Sequence, residues 1–239
     1  MAKIKVKPRK KLIDAENPIT LWFTVKEYVE QNARQIGAIA FAVVVVAAAV
    51  FAWSAMKARA ERDSLNMFYA AMSTMTAPAD SKDPAAQTAL YEKALAQFKE
   101  VREKHGGTTS GALALLYEGN CAYSLKKYDE AIGYYKEFLD ASHGTLQYLR
   151  SAGYEGIGYA YESKGDFKQA AEFFEKQKND SQAEGGGSAA LNLARVYELA
   201  GDRQKACNQY KEFLEKNPLS GQKQFAQIKA DSLCPKKGK

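Results

Sequence analysis

The chain has 239 residues, of which 34 are basic and 28 acidic, and a net charge of +6 at pH 7. Eight basic and four acidic residues fall within the first 35, so the remainder, with 26 basic and 24 acidic residues, is nearly neutral. A nearly neutral domain lacks the basic footprint of a nucleic-acid-binding surface, and we therefore exclude nucleic acid as a partner.

The N-terminal segment combines a basic tail with a helix. Residues 1–17 are rich in lysine and nearly free of aromatic residues, which predicts a disordered cytoplasmic tail. Asn17-Pro18 is suited to begin a helix, because Asn is a good N-cap and Pro fits the first helical position. We expect residues 18–35 to form an amphipathic juxtamembrane helix, either along the cytoplasmic membrane surface or packed on a partner.

The next stretch, residues 36–56 (IGAIAFAVVVVAAAVFAWSAM), has 21 residues without a charge. A helix of this length rises about 31 Å, close to the roughly 30 Å of a hydrocarbon core. A cleaved secretory signal usually has a shorter apolar run nearer the N-terminus. We therefore predict a single, uncleaved transmembrane helix that contacts the lipid bilayer through residues 36–56.

The charges that flank this span predict its orientation. Eight basic residues precede it, whereas Lys57, Arg59 and Arg62 follow it closely, mixed with acidic residues. The positive-inside bias then places the N-terminus in the cytoplasm and exports residues 57–239.

The exported part repeats a pattern of small and aromatic residues. Ala94, Ala131, Ala170 and Ala206 recur at intervals of 37, 39 and 36 residues, and each is followed four residues later by Phe98, Tyr135, Phe174 or Tyr210. This pattern resembles the tetratricopeptide repeat (TPR), a helix-turn-helix unit of about 34 residues. The resemblance implies an all-α fold in which the transmembrane helix precedes a TPR-like α-solenoid. We assign one degenerate repeat to residues 61–105, three clear repeats to 111–142, 150–180 and 187–218, and a capping helix to 219–233.

Small residues in these repeats predict close packing and tight turns. Gly158 in a first helix should let Ala170 of the second helix approach it. Gly165 and Gly201 suit the left-handed conformation that ends a first helix, and Lys126 replaces glycine at the equivalent turn.

Two features of the C-terminal half depart from a regular array. The glycine-rich joint predicts a kink near residues 185–187. We expect the capping helix to turn Phe225, Ile228 and Leu233 inward, because a terminal cap needs a polar outer face.

The three cysteines suggest one disulfide. In a helical hairpin that turns at residues 218–221, Cys207 and Cys234 come level with each other, and exported domains can keep disulfides. Cys207–Cys234 is therefore a possible bond, and Cys121 should be a small buried residue.

Catalytic and metal motifs are weak in this sequence. His105 and His143 precede glycine at helix ends, where a histidine interacts well with the helix dipole. Ser124-Leu-Lys-Lys127 matches S-x-x-K, but the match stands alone within a repeat. We expect no enzyme activity, no catalytic residues, no metal and no cofactor.

The first helices of the repeats should line a concave surface that binds protein partners. We assign partner binding to Leu113, Leu116, Asn120, Tyr123, Tyr159, Glu162 and Arg195, with Glu155, Leu191 and Glu198 on the same surface. Tyrosine and arginine are good contact residues at interfaces. The alternative is that these positions form only a solvated scaffold face.

The sequence around the predicted membrane anchor resembles that of a known group of proteins. Residues 25–64, VKEYVEQNARQIGAIAFAVVVVAAAVFAWSAMKARAERDS, are similar to the anchor of bacterial membrane-anchored TPR proteins, which include the ancillary TPR subunit of the SecYEG translocon. This resemblance implies an inner-membrane, single-pass scaffold whose periplasmic domain binds translocon subunits, a periplasmic chaperone or nascent exported chains. The alternative is a TPR scaffold for cytochrome maturation, cell-wall synthesis or secretion-system assembly.

Overall fold

The computed structural model describes residues 18–78, 83–180 and 186–235, and these form ten α-helices, one 3-10 helix and no strand. The α-helices are α1 (Pro18–Gln31), α2 (Ala33–Met75), α3 (Pro84–His105), α4 (Thr109–Ser124), α5 (Tyr128–Ala141), α6 (Arg150–Ser163), α7 (Phe167–Asn179), α8 (Gly186–Leu199), α9 (Arg203–Lys216) and α10 (Lys223–Leu233). The 3-10 helix, Gly144–Leu149, lies between α5 and α6. The predicted all-α class is confirmed.

The chain divides into two compact units, residues 1–57 and 58–239. The first unit contains α1 and the first part of α2, whereas the predicted basic tail, 1–17, lies outside the described residues. Helix α2 continues well beyond residue 56, so the predicted span is the apolar part of a longer helix. Among the described residues, α2 is the helix that is long and apolar enough to cross a membrane, and no side chain in its apolar window is buried.

The second unit is a series of helices in which each packs against the next from α3 to α10. Its apolar core consists of successive clusters, each shared by neighbouring helices. This arrangement is typical of a solenoid, because every repeat gains its core from its neighbours. The predicted kink near 185–187 falls partly on residues 181–185, which lie outside the described part of the chain.

The three turns within the repeats share one backbone conformation. Gly165 and Gly201 have φ angles of 78° and 79°, and Lys126 has 60° at the same place, as the sequence predicted. Two backbone hydrogen bonds close each turn; after Gly165, for example, Asp166 N–H donates to the Tyr161 carbonyl over 2.9 Å. These bonds satisfy carbonyls that would otherwise be unpaired at the helix end.

Gly158 lets the two helices of its repeat pack closely, and the side chain that packs against it is an aromatic ring. A Cβ atom added at Gly158 would lie 2.5 Å from Phe174 Cε1, so the Phe174 ring occupies the space beside that backbone. The nearest neighbour of Gly158 is therefore the Phe174 ring and not the Ala170 methyl group. Ala170 is buried in a cluster with Phe174 and with Leu193 of α8, because its helix also packs against the next repeat.

The capping helix α10 also differs from the prediction. Its buried residues are Ala226 and Ala230, whereas Phe225 and Ile228 are 51% and 62% exposed. Because two alanines form the buried part of the contact, α10 lies close to the preceding helices. Phe225 contacts the Tyr210 ring edge-on from the margin of this contact. Leu233 is partly buried, and Cys234 just beyond the helix forms a disulfide with Cys207.

The contact between Gly158 and Phe174 makes a stability prediction. We expect Gly158→Ala to lower the free energy of unfolding by about 1–3 kcal/mol, because the new methyl group overlaps a fully buried ring. Chemical denaturation of the full-length chain in detergent micelles, followed by circular dichroism, measures the change.

Gly133→Ala is the matched control, since Gly133 is exposed in α5 and a Cβ there meets nothing within 4 Å. This substitution should be neutral or stabilising by up to about 1 kcal/mol, because alanine favours helices over glycine. Equal effects of the two substitutions would mean that Phe174 does not fill the space beside Gly158.

Candidate functional site

The first helices of the three clear repeats, α4, α6 and α8, place a row of polar and aromatic side chains on one surface. We call this surface the first-helix face, and it comprises Asn120, Tyr123, Glu155, Tyr159, Glu162 and Arg195. None of these six side chains is fully buried. Hydrogen bonds and ion pairs join residues of neighbouring repeats across it.

Two of the predicted partner-binding residues do not belong to this face. Leu116 is only 6% exposed and lies in the apolar cluster shared by helices α4 to α7. Leu113 is partly buried and packs against two core clusters. Helix α4 contacts α3, α5 and α6, so more of its surface is internal than the repeat position suggested. Leu116 is therefore corrected from a partner contact to a core residue.

A cavity of about 260 Å³ opens between α4 and α6 within the first-helix face. Its lining residues are Asn120, Tyr123, Tyr135, Ala152, Glu155, Gly156 and Tyr159. The structure thus brings together three residues that the sequence assigned to partner binding, Asn120, Tyr123 and Tyr159. Ala152 and Gly156 of α6 also line the cavity.

The buried Tyr135 forms one wall of this cavity. A Cβ atom at Gly119 or at Gly156 would come within 2.4 or 2.5 Å of the Tyr135 ring, so the ring lies between α4 and α6. Its hydroxyl donates a hydrogen bond to Asn120 Oδ1 over 2.9 Å. Burial raises the pKa of Tyr135, and the phenol therefore stays a neutral donor that orients Asn120.

Glu155 lies at the centre of a hydrogen-bond network. Its Oε1 atom is 2.9 Å from the Tyr159 hydroxyl and accepts a hydrogen bond from Asn192 Nδ2 over 2.9 Å. Burial, together with the Glu155 carboxylate, raises the pKa of Tyr159 to about 12. Asn192 was not predicted from the sequence; its spacing of three residues from Arg195 on α8 was the available signal.

Arg195 and Tyr123 complete the contacts between repeats. Arg195 forms an ion pair with Glu162, and its guanidinium lies 5.2 Å from the centre of the Tyr159 ring. The Tyr123 hydroxyl is 3.0 Å from Ser163 Oγ. These contacts hold the side chains of the first-helix face in fixed positions. Among the described residues, no three His, Cys, Asp or Glu side chains are grouped to hold a metal ion.

Comparisons with known proteins agree with this architecture. Residues 85–144 and 188–220 each match a tetratricopeptide repeat model. Repeats of this type are typical of non-catalytic scaffolds that bind other proteins. The comparison with curated proteins gave no match.

Solved structures of similar fold include TPR-like repeats of a kinesin light chain from Podosopora anserina. That structure is 15% identical, covers 70% of this chain and 83% of its own, and has a TM-score of 0.50. The structure of BtubC from P. vanneervenii is 18% identical, covers 90% of this chain and 89% of its own, and has a TM-score of 0.43. The first of these supports the TPR-like solenoid as the fold.

Outside the first-helix face, α4 also carries a fully buried carboxylate, that of Glu118. Its Oε1 atom accepts a hydrogen bond from Arg102 Nε over 2.8 Å. Its Oε2 atom has no hydrogen-bond partner among the described residues. Burial raises the pKa of Glu118, and this effect exceeds the opposing effects of Arg102 and Lys99.

The raised pKa of Glu118 makes the stability depend on pH. The folded chain binds this proton more tightly than the unfolded chain, so the contribution is present below the ordinary glutamate pKa of about 4.3 and is lost as the pH rises through the folded value. We expect the stability of the wild type relative to Glu118→Gln, which cannot titrate, to fall as the pH rises above that ordinary value. Denaturation of both full-length proteins at several pH values gives this difference; an increase or a constant value would contradict the assignment.

Proposed function

We propose that this protein is a membrane-anchored scaffold that binds other proteins through the first-helix face of its TPR-like domain. The observation that supports this most is the cavity beside Tyr123 and Tyr159, where aromatic, amide and carboxylate groups converge without a catalytic arrangement. Tyrosine is enriched at interface centres because it combines a large apolar ring with a hydroxyl group.

We place the TPR-like domain at the periplasmic face of a bacterial inner membrane, with residues 36–56 across the bilayer and the N-terminus in the cytoplasm. The excess of basic residues before the span supports this orientation. The disulfide between Cys207 and Cys234 also favours an oxidising compartment such as the periplasm.

We further propose that the scaffold is a chaperone-associated ancillary component of the Sec translocon. This proposal depends on the similarity of residues 25–64 to the anchors of such proteins. Its partners would then be translocon subunits, a periplasmic chaperone or nascent exported chains. The alternative is a scaffold for another envelope process, which the same fold could serve.

Cysteine labelling tests the proposed topology. A membrane-impermeant maleimide should label Gly107→Cys in intact spheroplasts and should not label Lys5→Cys until the membrane is permeabilised. Gly107 is exposed in the loop before α4, so its accessibility within the domain is not limiting. The unmodified protein measures background labelling, and the reverse pattern would place the TPR-like domain in the cytoplasm.

Photocrosslinking in cells tests where partners bind. A photoreactive residue at position 123 or 159 should form specific adducts, because both tyrosines line the cavity. Lys136 and Lys176 are exposed on the second helices α5 and α7 and serve as control positions. Adducts at the cavity with Sec subunits, a chaperone or nascent chains would support the translocon role.

The other outcomes are also informative. Adducts at positions 123 and 159 with envelope-assembly proteins, and none with the secretion machinery, would favour the alternative scaffold. Specific adducts from the control positions only would show that partners bind away from the first-helix face.

A further inference from the structure

Three glutamates lie along α6 and α8 on the side of the first-helix face, and they differ in how their charge is balanced. Glu162 forms an ion pair with Arg195, and Glu198 forms one with Lys229 over 2.8 Å. Glu155 forms no ion pair with any residue that the structure describes; its contacts are the neutral side chains of Tyr159 and Asn192. The carboxylate that lines the cavity is therefore the one without a cation.

The other cavity walls suit a positive charge. The residues that line it with Glu155 are three tyrosines, one asparagine, one alanine and one glycine, and none is basic. The faces of aromatic rings attract cations, and attraction increases when the site is partly removed from water. Tyr123 and Tyr159 supply such rings beside the carboxylate.

Arg195 is the basic residue of the first-helix face, and it does not neutralise Glu155. Arg195 lies over the Tyr159 ring, but its charge is balanced by Glu162. Because the Arg195–Glu162 pair is neutral as a unit, the cavity retains the negative charge of Glu155.

The size of the cavity limits what can enter. Its volume of about 260 Å³ is below the range of roughly 300–1,000 Å³ that is common for drug-sized ligands, so it fits one side chain of a larger partner. An apolar side chain would bury the Glu155 carboxylate without pairing it, which is costly, and an acidic one would be repelled.

We infer that this cavity is a pocket for a single lysine or arginine side chain of the bound protein. The inference depends on the proposed function, because it names the group by which a partner engages the first-helix face. The side chain would lie between Tyr123 and Tyr159, with its charge paired to Glu155. Asn120, held by Tyr135, would lie at the wall of the same pocket and could bond the partner's backbone.

Peptide titrations of the full-length protein in detergent micelles test this inference. The probes are capped five-residue peptides of alanine with lysine, arginine, norleucine or acetyl-lysine at the centre. We expect the lysine and arginine peptides to shift the amide NMR signals of Ala152 and Gly156, and to bind at least about tenfold more tightly than the norleucine and acetyl-lysine peptides. Norleucine keeps the apolar stem and acetyl-lysine keeps the length, so the comparison isolates the charge.

Two substitutions distinguish a local ion pair with Glu155 from a general attraction to the negative charge of the protein surface. Glu155→Gln should weaken binding of the lysine peptide about tenfold, while glutamine can still accept hydrogen bonds from Tyr159 and Asn192. Glu137→Gln removes the same charge from an exposed position on α5 and should leave binding unchanged. Glu155→Asp, which keeps the charge, should retain part of the affinity, and unchanged amide spectra of the free variants would show that folding is intact.

The inference is overturned if norleucine binds as well as lysine, or if Glu155→Gln has no more effect than Glu137→Gln. In either case, crosslinks from positions 123 and 159 would still support partner binding on this face. Conversely, loss of those crosslinks together with charge-selective peptide binding would leave the cation pocket in place and remove the proposed partners.

Discussion

Aromatic rings that pack directly against glycine backbones determine the spacing between helices α4 to α7. The Tyr135 ring lies between Gly119 and Gly156, and the Phe174 ring lies beside Gly158. A side chain at any of these glycines would force the helices apart. The same contact shapes the candidate site, because the Tyr135 ring held between these glycines lines the cavity and its hydroxyl orients Asn120. The packing of the repeats and the geometry of the candidate site therefore depend on the same few residues.

Local features of the fold were predictable from the sequence. Short sequence patterns predicted the repeat interval and the left-handed turns at Gly165 and Gly201. They also identified Lys126 as the residue that replaces glycine at the equivalent turn, because each of these features has a local cause. The inward face of α10 was not predictable from hydrophobicity. Phe225 and Ile228 are the larger apolar residues, yet Ala226 and Ala230 are the buried ones, since a close approach between helices favours small side chains.

The candidate site was predicted in part. Repeat position placed Asn120 and Tyr159 at equivalent turns of α4 and α6, with Tyr123 one turn beyond Asn120 on the same face. Repeat position could not show that Leu116 is internal, which depends on α4 being enclosed by three other helices. Repeat position also could not show which glutamates form ion pairs. The partners of Glu155 and Glu162 on α8 are 37 and 33 residues away in sequence, so their contacts exist only once the repeats are stacked.

Ion pairing across the repeats also explains how the array ends. Glu162 of one repeat receives its cation, Arg195, from the next repeat, and Glu198 would need the same from a further unit. Lys229 of α10 supplies that cation, and the Tyr210 hydroxyl donates to the same carboxylate over 2.9 Å. The capping helix thus replaces a repeat both in packing, through its alanines, and in charge. Glu155 is the exception within this series, because Asn192 occupies the place from which α8 could have provided a cation. A neutral side chain there leaves Glu155 without the cation that Glu162 and Glu198 each have among the described residues.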